Sequence, residues 1–426
     1  MANKDEPAGA VGDGRSRNPV PALVAGWAVL TLANAQRIAV VPFFNEFRRA
    51  YGIDYAAAGG LLSAYLLGYV LAQIPAGLAA DNLPTRHVTA AGLAMLALTS
   101  SLFAVSDRLG PAILLRGLMG VSAAALYSST VKLTLGTSAR RGTAMGLLQS
   151  GAGTGAVVGL FAMPLLAQAT SVRTAFLMLA AFSGATFIYA LLYLPRGGSG
   201  RFGAEPLATQ LGRIATRRPF VYLSACVSLA LFSAYGVTAW IPTYLRNAFG
   251  FTIASSGAVA SLINVALLVA APFAGILSDR FATRASAVII GFAVLVGAFA
   301  LLVAVPGAVW VALSAALAGV GLALTLPILT TVTTEIFGIE RAGVAVSLNL
   351  AVGQVSSTIS GVLLGYVLDA TGSFTRVWIV GLAVAACGVV PALGLRRLEL
   401  SQAPGGHARA AALSRLAQDE KGRSPR

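Results

Sequence analysis

Charge is scarce in this sequence, and cysteine and histidine are scarcer. Only 11% of the 426 residues are charged, whereas about a quarter of an ordinary soluble domain is charged. The two cysteines, Cys226 and Cys387, lie inside apolar runs without paired or metal-type spacing. The two histidines, His87 and His407, have no cluster of acids or cysteines beside them. These absences argue against a soluble domain, a disulfide framework and a metal site, and we expect no cofactor.

Long apolar runs take the place of charge, since 57% of the residues are apolar. Windows of about 20 apolar residues recur along the whole chain, and each is long enough to cross about 30 Å of hydrocarbon. We count twelve such windows. The first follows the polar residues 1–19, but it is too long for a signal peptide and lacks a small-residue cleavage site. The sequence therefore predicts an all-α membrane protein with twelve transmembrane helices.

The formal net charge of +15 is distributed unevenly. Most of the 30 lysines and arginines lie between the apolar runs, mainly on the side of the membrane that carries both termini. Cytoplasmic loops of membrane proteins are enriched in Lys and Arg. We therefore expect both termini in the cytoplasm of a protein of the inner membrane, with the lipid bilayer rather than nucleic acid as its partner.

Two segments repeat along the chain. The stretch "GLAADNLPTR" (Gly77–Arg86), after the second run, matches "GILSDRFATR" (Gly275–Arg284), after the eighth. The stretch "RGTAMGLLQSGAG" likewise matches "RAGVAVSLNLAVG" and aligns Gln149 with Asn349. These repeats indicate two six-helix halves related by duplication. The predicted divisions are a cytoplasmic tail 1–19, a first bundle 20–194, a basic cytoplasmic linker 195–219, a second bundle 220–395 and a cytoplasmic tail 396–426.

The two repeated loops resemble the signature loop of the major facilitator superfamily, and "ILLRGLMGVSAAA" (Ile113–Ala125) resembles its fourth-span Arg-x-x-x-Gly motif. The resemblance covers almost the whole chain. It implies the major facilitator fold, in which two pseudo-symmetric six-helix bundles rock around a site near the bilayer midplane and give alternating access. We expect the protein to work as a monomer.

The repeated loops supply candidate gating residues. A carboxylate at the end of one helix can bond the free amides at the N-terminus of a neighbour, where the helix dipole favours negative charge. Asp81 and Asp279 are placed to do so, and the resemblance implies that each caps a helix of the opposite half in one conformation only. Glu335 is placed to form a structural ion pair with Arg280 or Arg284. The predicted gating set is Asp81, Arg86, Asp279, Arg280, Arg284 and Glu335.

Three basic residues lie inside apolar runs, where a charge is costly. Arg37 lies about 21 Å into the first run, and Arg116 lies about 8 Å into the fourth run, which crosses in the other direction. The two arginines are therefore expected at a similar depth. Lys132 lies near the far end of the fourth run and roughly 160° around the helix from Arg116. We expect Lys132 to anchor the helix at the membrane interface, with a substrate contact as the alternative.

The spans carry no acid to neutralise these arginines, because no Asp or Glu lies in the middle of any predicted span. A cavity lined by Arg37 and Arg116 would be net positive, and its natural counter-charge is a substrate anion. A guanidinium offers a planar fork that fits a carboxylate or phosphate, and it stays charged. The alternative is a structural role for either arginine, in which Arg116 bonds carbonyls of the first span and only stabilises the bundle.

The stretch "NAQRIAVVP" around Arg37 resembles the first-span motif of the anion:cation symporter branch, which includes sugar-acid permeases and vesicular organic-anion transporters. The resemblance implies that Arg37 and Arg116 hold the substrate carboxylate. The stretch "YLLGYVLAQIPAG" is similar to the second span of that branch, in which a tyrosine faces the site. Tyr69 is the best match, and Tyr65 lies one turn earlier on the same face.

Two positions depart from that branch. Gln36 replaces the aspartate that usually precedes the first arginine, and Ala123 replaces an acid that often follows the second. Those acids are associated with proton coupling in the branch. The departures leave three possibilities open: a proton that enters on the substrate's own carboxyl group, exchange against another anion, or uniport.

The sequence thus predicts a secondary active transporter of a small organic anion, a carboxylate, working by proton-coupled symport or anion exchange. The alternatives are an efflux antiporter for drugs or metabolites and a non-transporting sensor that signals through its basic tail. An enzyme is not expected, since no nucleophile, base and orienting group stand at compatible depth. Polar side chains in the spans, which also serve as bonds between helices, complete the candidate site. The predicted substrate contacts are Arg37, Arg116, Asn34, Tyr65, Tyr69, Tyr127, Gln149 and Asn349.

Overall fold

The computed structural model describes residues 20–137, 141–194, 212–281 and 283–402. In this part of the chain, twelve helical segments are long and apolar enough to cross a membrane, six in each half. The prediction of twelve transmembrane helices is confirmed. We number these segments span 1 to span 12 in chain order.

Most spans are single helices, and three are built from shorter pieces. The first half contains span 1 (Val20–Ile38, a 3₁₀ turn Val41–Phe43, and Phe44–Tyr51), span 2 (Tyr55–Asn82), span 3 (Thr85–Ala104), span 4 (Leu109–Thr137), span 5 (Arg141–Val157, a π-helical turn Val158–Ala162, and Met163–Ala169) and span 6 (Val172–Tyr193). The second half contains span 7 (Arg218–Phe249), span 8 (Ile253–Arg280), span 9 (Arg284–Ala304), span 10 (Ala308–Ala323 and Leu326–Phe337), span 11 (Ile339–Thr371) and span 12 (Phe374–Gln402).

Where the structure describes the connections within each half, they are short turns, and neighbouring spans run in opposite directions. The end of the bundle that carries Val20 and Gln402 is called the terminal face. The other end is called the opposite face, and it carries the tight turns at Gly52 and Gly372, both in the left-handed conformation that favours glycine.

Span 1 is interrupted close to Arg37. Its first helix ends at Ile38, and a 3₁₀ turn begins at Val41. Pro42 has no amide hydrogen and cannot donate to the carbonyl of Ile38, which ends a regular helix at this point. Arg37 therefore lies in the last turn of a helix rather than in the middle of a continuous one.

Small residues let the spans that surround the centre pack backbone against backbone. A Cβ atom on Gly68 of span 2 would lie 2.0 Å from the carbonyl oxygen of Gly117 in span 4, and one on Gly120 would lie 1.9 Å from that of Tyr65. Across the two halves, a Cβ on Gly59 would lie 2.2 Å from the carbonyl oxygen of Gly361 in span 11. Such close approach is typical of helix packing in membranes, and it fixes how spans 2, 4 and 11 are rotated.

Candidate functional site

A cavity of about 250 Å³ lies between the two halves. Spans 1, 2, 4 and 5 line it from the first half and span 11 from the second. Its volume is slightly below the ~300–1,000 Å³ of pockets that hold drug-sized molecules, which suits a small ligand. The described polar residues that line it are Asn34, Arg37, Tyr65, Tyr69, Gln73, Tyr127, Ser347 and Gln354.

Arg37 is the charged member of the described lining residues. Its Nη2 donates to Oδ1 of Asn34, and Asn34 Nδ2 donates in turn to the carbonyl of Leu30 at 2.9 Å. The guanidinium carbon lies 5.6 Å from the ring centroid of Tyr235 in span 7. The Nε of Arg37 is buried and has no described hydrogen-bond partner. Arg37 therefore lines the cavity while its Nε has a donor that no described group uses.

Arg116 lies at the level of Arg37 but does not line the described part of the cavity. Its side chain is fully buried, and its Nη2 donates to the backbone carbonyl of Arg37 at 2.7 Å. The prediction of a similar depth is thus confirmed. Nη1 donates to the carbonyl of Gln36 at 2.6 Å and Nε to that of Leu61 in span 2 at 3.0 Å. The expected orientation into the cavity is corrected here, because Arg116 bonds the first-span carbonyls that the helix break leaves free.

The three predicted tyrosines all line the cavity. Tyr65 donates its hydroxyl to the carbonyl of Ala33 at 2.6 Å, so this hydroxyl is already engaged within the first half. Tyr69 lies one turn further along span 2, and Tyr127 faces the cavity from span 4. The aromatic character of this wall was predictable from the spacing of Tyr65 and Tyr69.

Asn349 is buried away from the lining residues, and its Nδ2 lies 3.3 Å from Oγ1 of Thr333 in span 10. It follows the structural alternative, a bond between helices, instead of the predicted place in the cavity. The reason is the rotation of span 11, which turns Ser347 and Gln354 inward. The side chain of Gln149 lies outside the described part of the chain.

Two cavity amides stand out that the predicted site did not contain. Gln73 of span 2 lines the cavity from the first half, and Gln354 of span 11 lines it from the second. The Oε1 of each is buried without a described partner. Gln73 follows Tyr65 and Tyr69 at successive four-residue steps, so helical spacing was a usable signal for it. Gln354 depended on the rotation of span 11, which no local pattern reveals.

The two positions that depart from the anion:cation symporter branch have different surroundings. Gln36 is fully buried and turns to span 3, where its Nε2 donates to Oγ of Ser100 at 2.8 Å. Ala123 lines the cavity. Neither position brings a carboxylate to Arg37, and none is present among the described lining residues.

A group of polar contacts joins the two halves at the opposite face. Both carboxylate oxygens of Asp369 in span 11 accept hydrogen bonds from the first amides of span 2, Tyr55 N at 2.9 Å and Ala56 N at 2.7 Å. The guanidinium of Arg246 in span 7 donates to both carboxylate oxygens of Glu46 at 2.6 and 2.8 Å. We call these contacts the opposite-face seam. They lie between the cavity and the opposite face.

The seam applies the capping rule at a place that sequence reasoning missed. Asp369 caps a helix of the other half, as was expected of Asp81 and Asp279, but it does so at the opposite face. An acid at the end of span 11 was visible in the sequence. Its partner was not, because the pairing of spans 2 and 11 is a tertiary contact.

The predicted gating residues at the terminal face make their described contacts within their own halves. Arg284 bonds Asp279 at 2.9 Å and Glu335 at 2.9 Å, so the predicted pairing of Glu335 with Arg284 is confirmed. Arg86 donates to the carbonyl of Leu191 in span 6. Arg280 is exposed, and the side chain of Asp81 lies outside the described part of the chain.

Lys132 lies in the last two turns of span 4, near the terminal face. Its Nζ donates to the carbonyl of Ala80 in span 2. This position agrees with the expected anchoring role at the end of the span.

Comparison with known proteins identifies the family to which this architecture belongs. The model of the Major Facilitator Superfamily matches residues 26–361 and 226–418. A probable chloroplastic anion transporter of rice (Oryza sativa subsp. japonica) is 24% identical over 81% of this chain and 73% of its own length. A probable sulfoacetate transporter of Cupriavidus necator is 24% identical over 84% of this chain and 89% of its own.

Among solved structures, a bacterial homologue of the human lysosomal transporter Spinster superposes with a TM-score of 0.71 at 15% identity, covering 90% of this chain and 96% of that one. At this identity the likeness concerns the fold. Together with the match of the family model to most of the sequence, it shows that the chain belongs to the Major Facilitator Superfamily and is a transporter of that type.

Proposed function

We propose that this transporter carries a small organic anion, a carboxylate, and binds it at Arg37. The observation that carries the proposal is a cationic cavity side chain with unused donors and no carboxylate among the described lining residues. Ionisable groups inside a membrane protein pair with an opposite charge or face a polar cavity. A bound anion supplies the opposite charge here.

The chemistry of Arg37 fits a carboxylate. Asn34 accepts one bond from Nη2, and the remaining N–H groups of the planar guanidinium can bond the two oxygens of a carboxylate. Hydrogen bonds to charged groups contribute about 1.5–3 kcal/mol each, so one fork suffices for weak, reversible binding. Tyr69, Tyr127, Gln73 and Gln354 then surround the remainder of the substrate.

Two relatives support an anionic substrate. The rice protein is named a probable anion transporter, and the Cupriavidus protein a probable sulfoacetate transporter. Each shares 24% of aligned residues with this chain. They favour the class of substrate, a small anion, without selecting a member of it.

The proposed mechanism is alternating access across the inner membrane. Enrichment of Lys and Arg in the segments at the terminal face supports a cytoplasmic position for that face. The opposite-face seam closes the outer route, so this conformation binds or releases substrate from the cytoplasmic side. Opening to the outside requires the bonds of Asp369 and Arg246 across the halves to break.

Coupling follows from the same inventory of charges. With Gln36 turned to Ser100 and alanine at position 123, neither of these positions offers a carboxylate to carry a proton beside Arg37. We therefore propose two modes, a proton carried on the substrate's own carboxyl group or exchange against a second anion. In exchange, an anion neutralises Arg37 in both directions, whereas a substrate carboxyl group that has taken up a proton no longer does so and is released from Arg37 more easily.

The test is transport by purified protein in liposomes. A thermal-shift screen against lactate, gluconate, succinate and sulfoacetate selects the anions that stabilise the folded protein, and uptake of those anions is then measured with radiolabel. Arg37→Ala is expected to abolish uptake while the protein still inserts and folds. Arg173→Ala, which removes an exposed arginine at the opposite face, is the matched control. Normal uptake by the Arg37→Ala protein would refute the proposal.

A further inference from the structure

The fully buried guanidinium of Arg116 sits at the broken end of the first helix of span 1. We propose that Arg116 is a positioning residue that caps this helix end and thereby holds Arg37 at the cavity. The inference rests on the proposed role of Arg37 in binding the anion. It assigns Arg116 a task other than contact with substrate.

The first helix of span 1 ends with backbone carbonyls that have no regular hydrogen-bond donor. The last regular bond of the first helix runs from the amide of Ala39 to the carbonyl of Ala35 at 2.8 Å. The next donor with a described backbone bond is Phe43, whose amide bonds the carbonyl of Val40 at 3.1 Å. Between them, no backbone bond is described for the amides of Val40 and Val41, which a regular helix would direct to Gln36 and Arg37, and Pro42 has no amide hydrogen. The helix thus ends with carbonyls that lack a regular partner, in a region where water is scarce.

The planar guanidinium of Arg116 fits the two carbonyls at this helix end. Two nitrogens of its planar fork donate to the carbonyls of consecutive residues, Gln36 at 2.6 Å and Arg37 at 2.7 Å. A cation at a helix C-terminus also interacts favourably with the helix dipole. The arrangement therefore satisfies the carbonyls and the buried charge together.

Other contacts fix the cap to spans 2 and 3. Nε of Arg116 donates to the carbonyl of Leu61 in span 2 at 3.0 Å. The guanidinium carbon lies 4.9 Å from the ring centroid of Tyr65 and 5.7 Å from that of Phe103 in span 3, within the range of cation–π attraction. The backbone at residue 37 is thus tied to three neighbouring spans through one side chain.

The same contacts leave Arg116 little to offer a substrate. Its Nε, Nη1 and Nη2 each bond a backbone carbonyl, and its side chain is fully buried. Arg37, whose carbonyl it holds, points its own guanidinium to the cavity. Binding groups must be held within about 0.5 Å of the productive geometry. Arg116 supplies that support through the backbone.

The test measures the position of residue 37 without any substrate. In a background that lacks the native cysteines (Cys226→Ala, Cys387→Ala), Arg37→Cys reports on its access to the cavity. The probe is methyl methanethiosulfonate, a small neutral reagent, and rates are compared at a pH high enough to ionise the thiol, because a neighbouring cation such as Arg116 favours the reactive thiolate. Ser347→Cys, which lies in span 11 and lines the same cavity, is the control reporter.

We expect Arg116→Gln to slow labelling at position 37 by about tenfold, since a neutral amide cannot bridge the two carbonyls and the charged bonds are lost. Labelling at position 347 is expected to stay within about twofold, because nothing in span 11 depends on the cap. If Arg116→Gln is not recovered from the membrane, Arg116→Lys, which keeps the charge but lacks the fork, serves in its place.

Three results would overturn the inference: no labelling of position 37 in the presence of Arg116, an unchanged rate there after substitution, or an equal loss at positions 37 and 347, which would mean general support of the fold. None of these depends on transport. Failure of the proposed function is seen separately, as uptake retained by the Arg37→Ala protein.

Discussion

Asp369 offers a direct perturbation of the opposite-face seam. Its carboxylate bonds two amides at the start of span 2 from the other half, at 2.9 and 2.7 Å. Asp54 caps the same helix from within the first half, with its Oδ1 2.7 Å from the amide of Ala57. Under alternating access, the bonds of Asp369 exist only while the opposite face is closed, whereas the bond of Asp54 persists in both conformations.

The expected magnitude follows from this difference. Loss of a helix-capping side chain costs about 0.5–2 kcal/mol. Asp369 is exposed, so a value near the lower part of that range, about 1 kcal/mol, is appropriate, and it changes a two-state ratio about fivefold. For Asp369→Ala the whole cost falls on the closed state. For Asp54→Ala it falls on both states and cancels.

The assay is labelling of a cavity cysteine from outside the cell. Ser347→Cys, in the background without Cys226 and Cys387, is exposed to a membrane-impermeant thiol reagent added to intact cells. We expect Asp369→Ala to raise the labelling rate about fivefold, as the two-state ratio requires, and Asp54→Ala to leave it unchanged. An unchanged rate in Asp369→Ala, or an equal rise in both variants, would refute the reasoning.

Two further predictions concern packing and coupling. Gly68→Ala is expected to lower the free energy of unfolding of the purified protein by about 1–3 kcal/mol, because the new Cβ would lie 2.0 Å from the carbonyl oxygen of Gly117. Gly60→Ala, in the same helix with nothing within 4 Å, should be neutral or stabilising by about 0.5–1 kcal/mol, and equal losses in the two variants would contradict this packing. Ala123→Glu is expected to weaken anion uptake at pH 7, where the new carboxylate neutralises Arg37, and to restore it as the pH falls towards about 4, where glutamate protonates. Uptake measured across this range that does not depend on pH would contradict the role given to Arg37.

The sequence predicted the parts of the structure that depend on composition and spacing. Twelve spans followed from apolar run length, because crossing hydrocarbon demands about 20 apolar residues whatever the neighbours are. The shared depth of Arg37 and Arg116 followed from the constant rise of a helix. The pairing of Glu335 with Arg284 followed from the placement of unlike charges at neighbouring helix ends.

The sequence could not predict which groups Arg116 would bond, because that depended on where the first helix of span 1 ends. Depth and helical phase placed it beside Arg37, and they did not reveal which of its neighbours it would bond. That choice was decided by the end of the helix at Ile38, after which no backbone amide is described as bonding the carbonyls of residues 36 and 37. The carbonyls and the guanidinium come from different spans, so no local pattern links them.

The sequence alone determined that the chain crosses a membrane in two repeated halves and carries basic residues where no acid balances them. Only the tertiary structure decided that Arg37 faces the cavity, that Arg116 stands behind it, and that Asp369 joins the halves. The physical reason is that run length and charge are properties of each segment. The rotation of one helix against another is set by close contacts such as Gly68 with Gly117, which exist only once the bundle has packed.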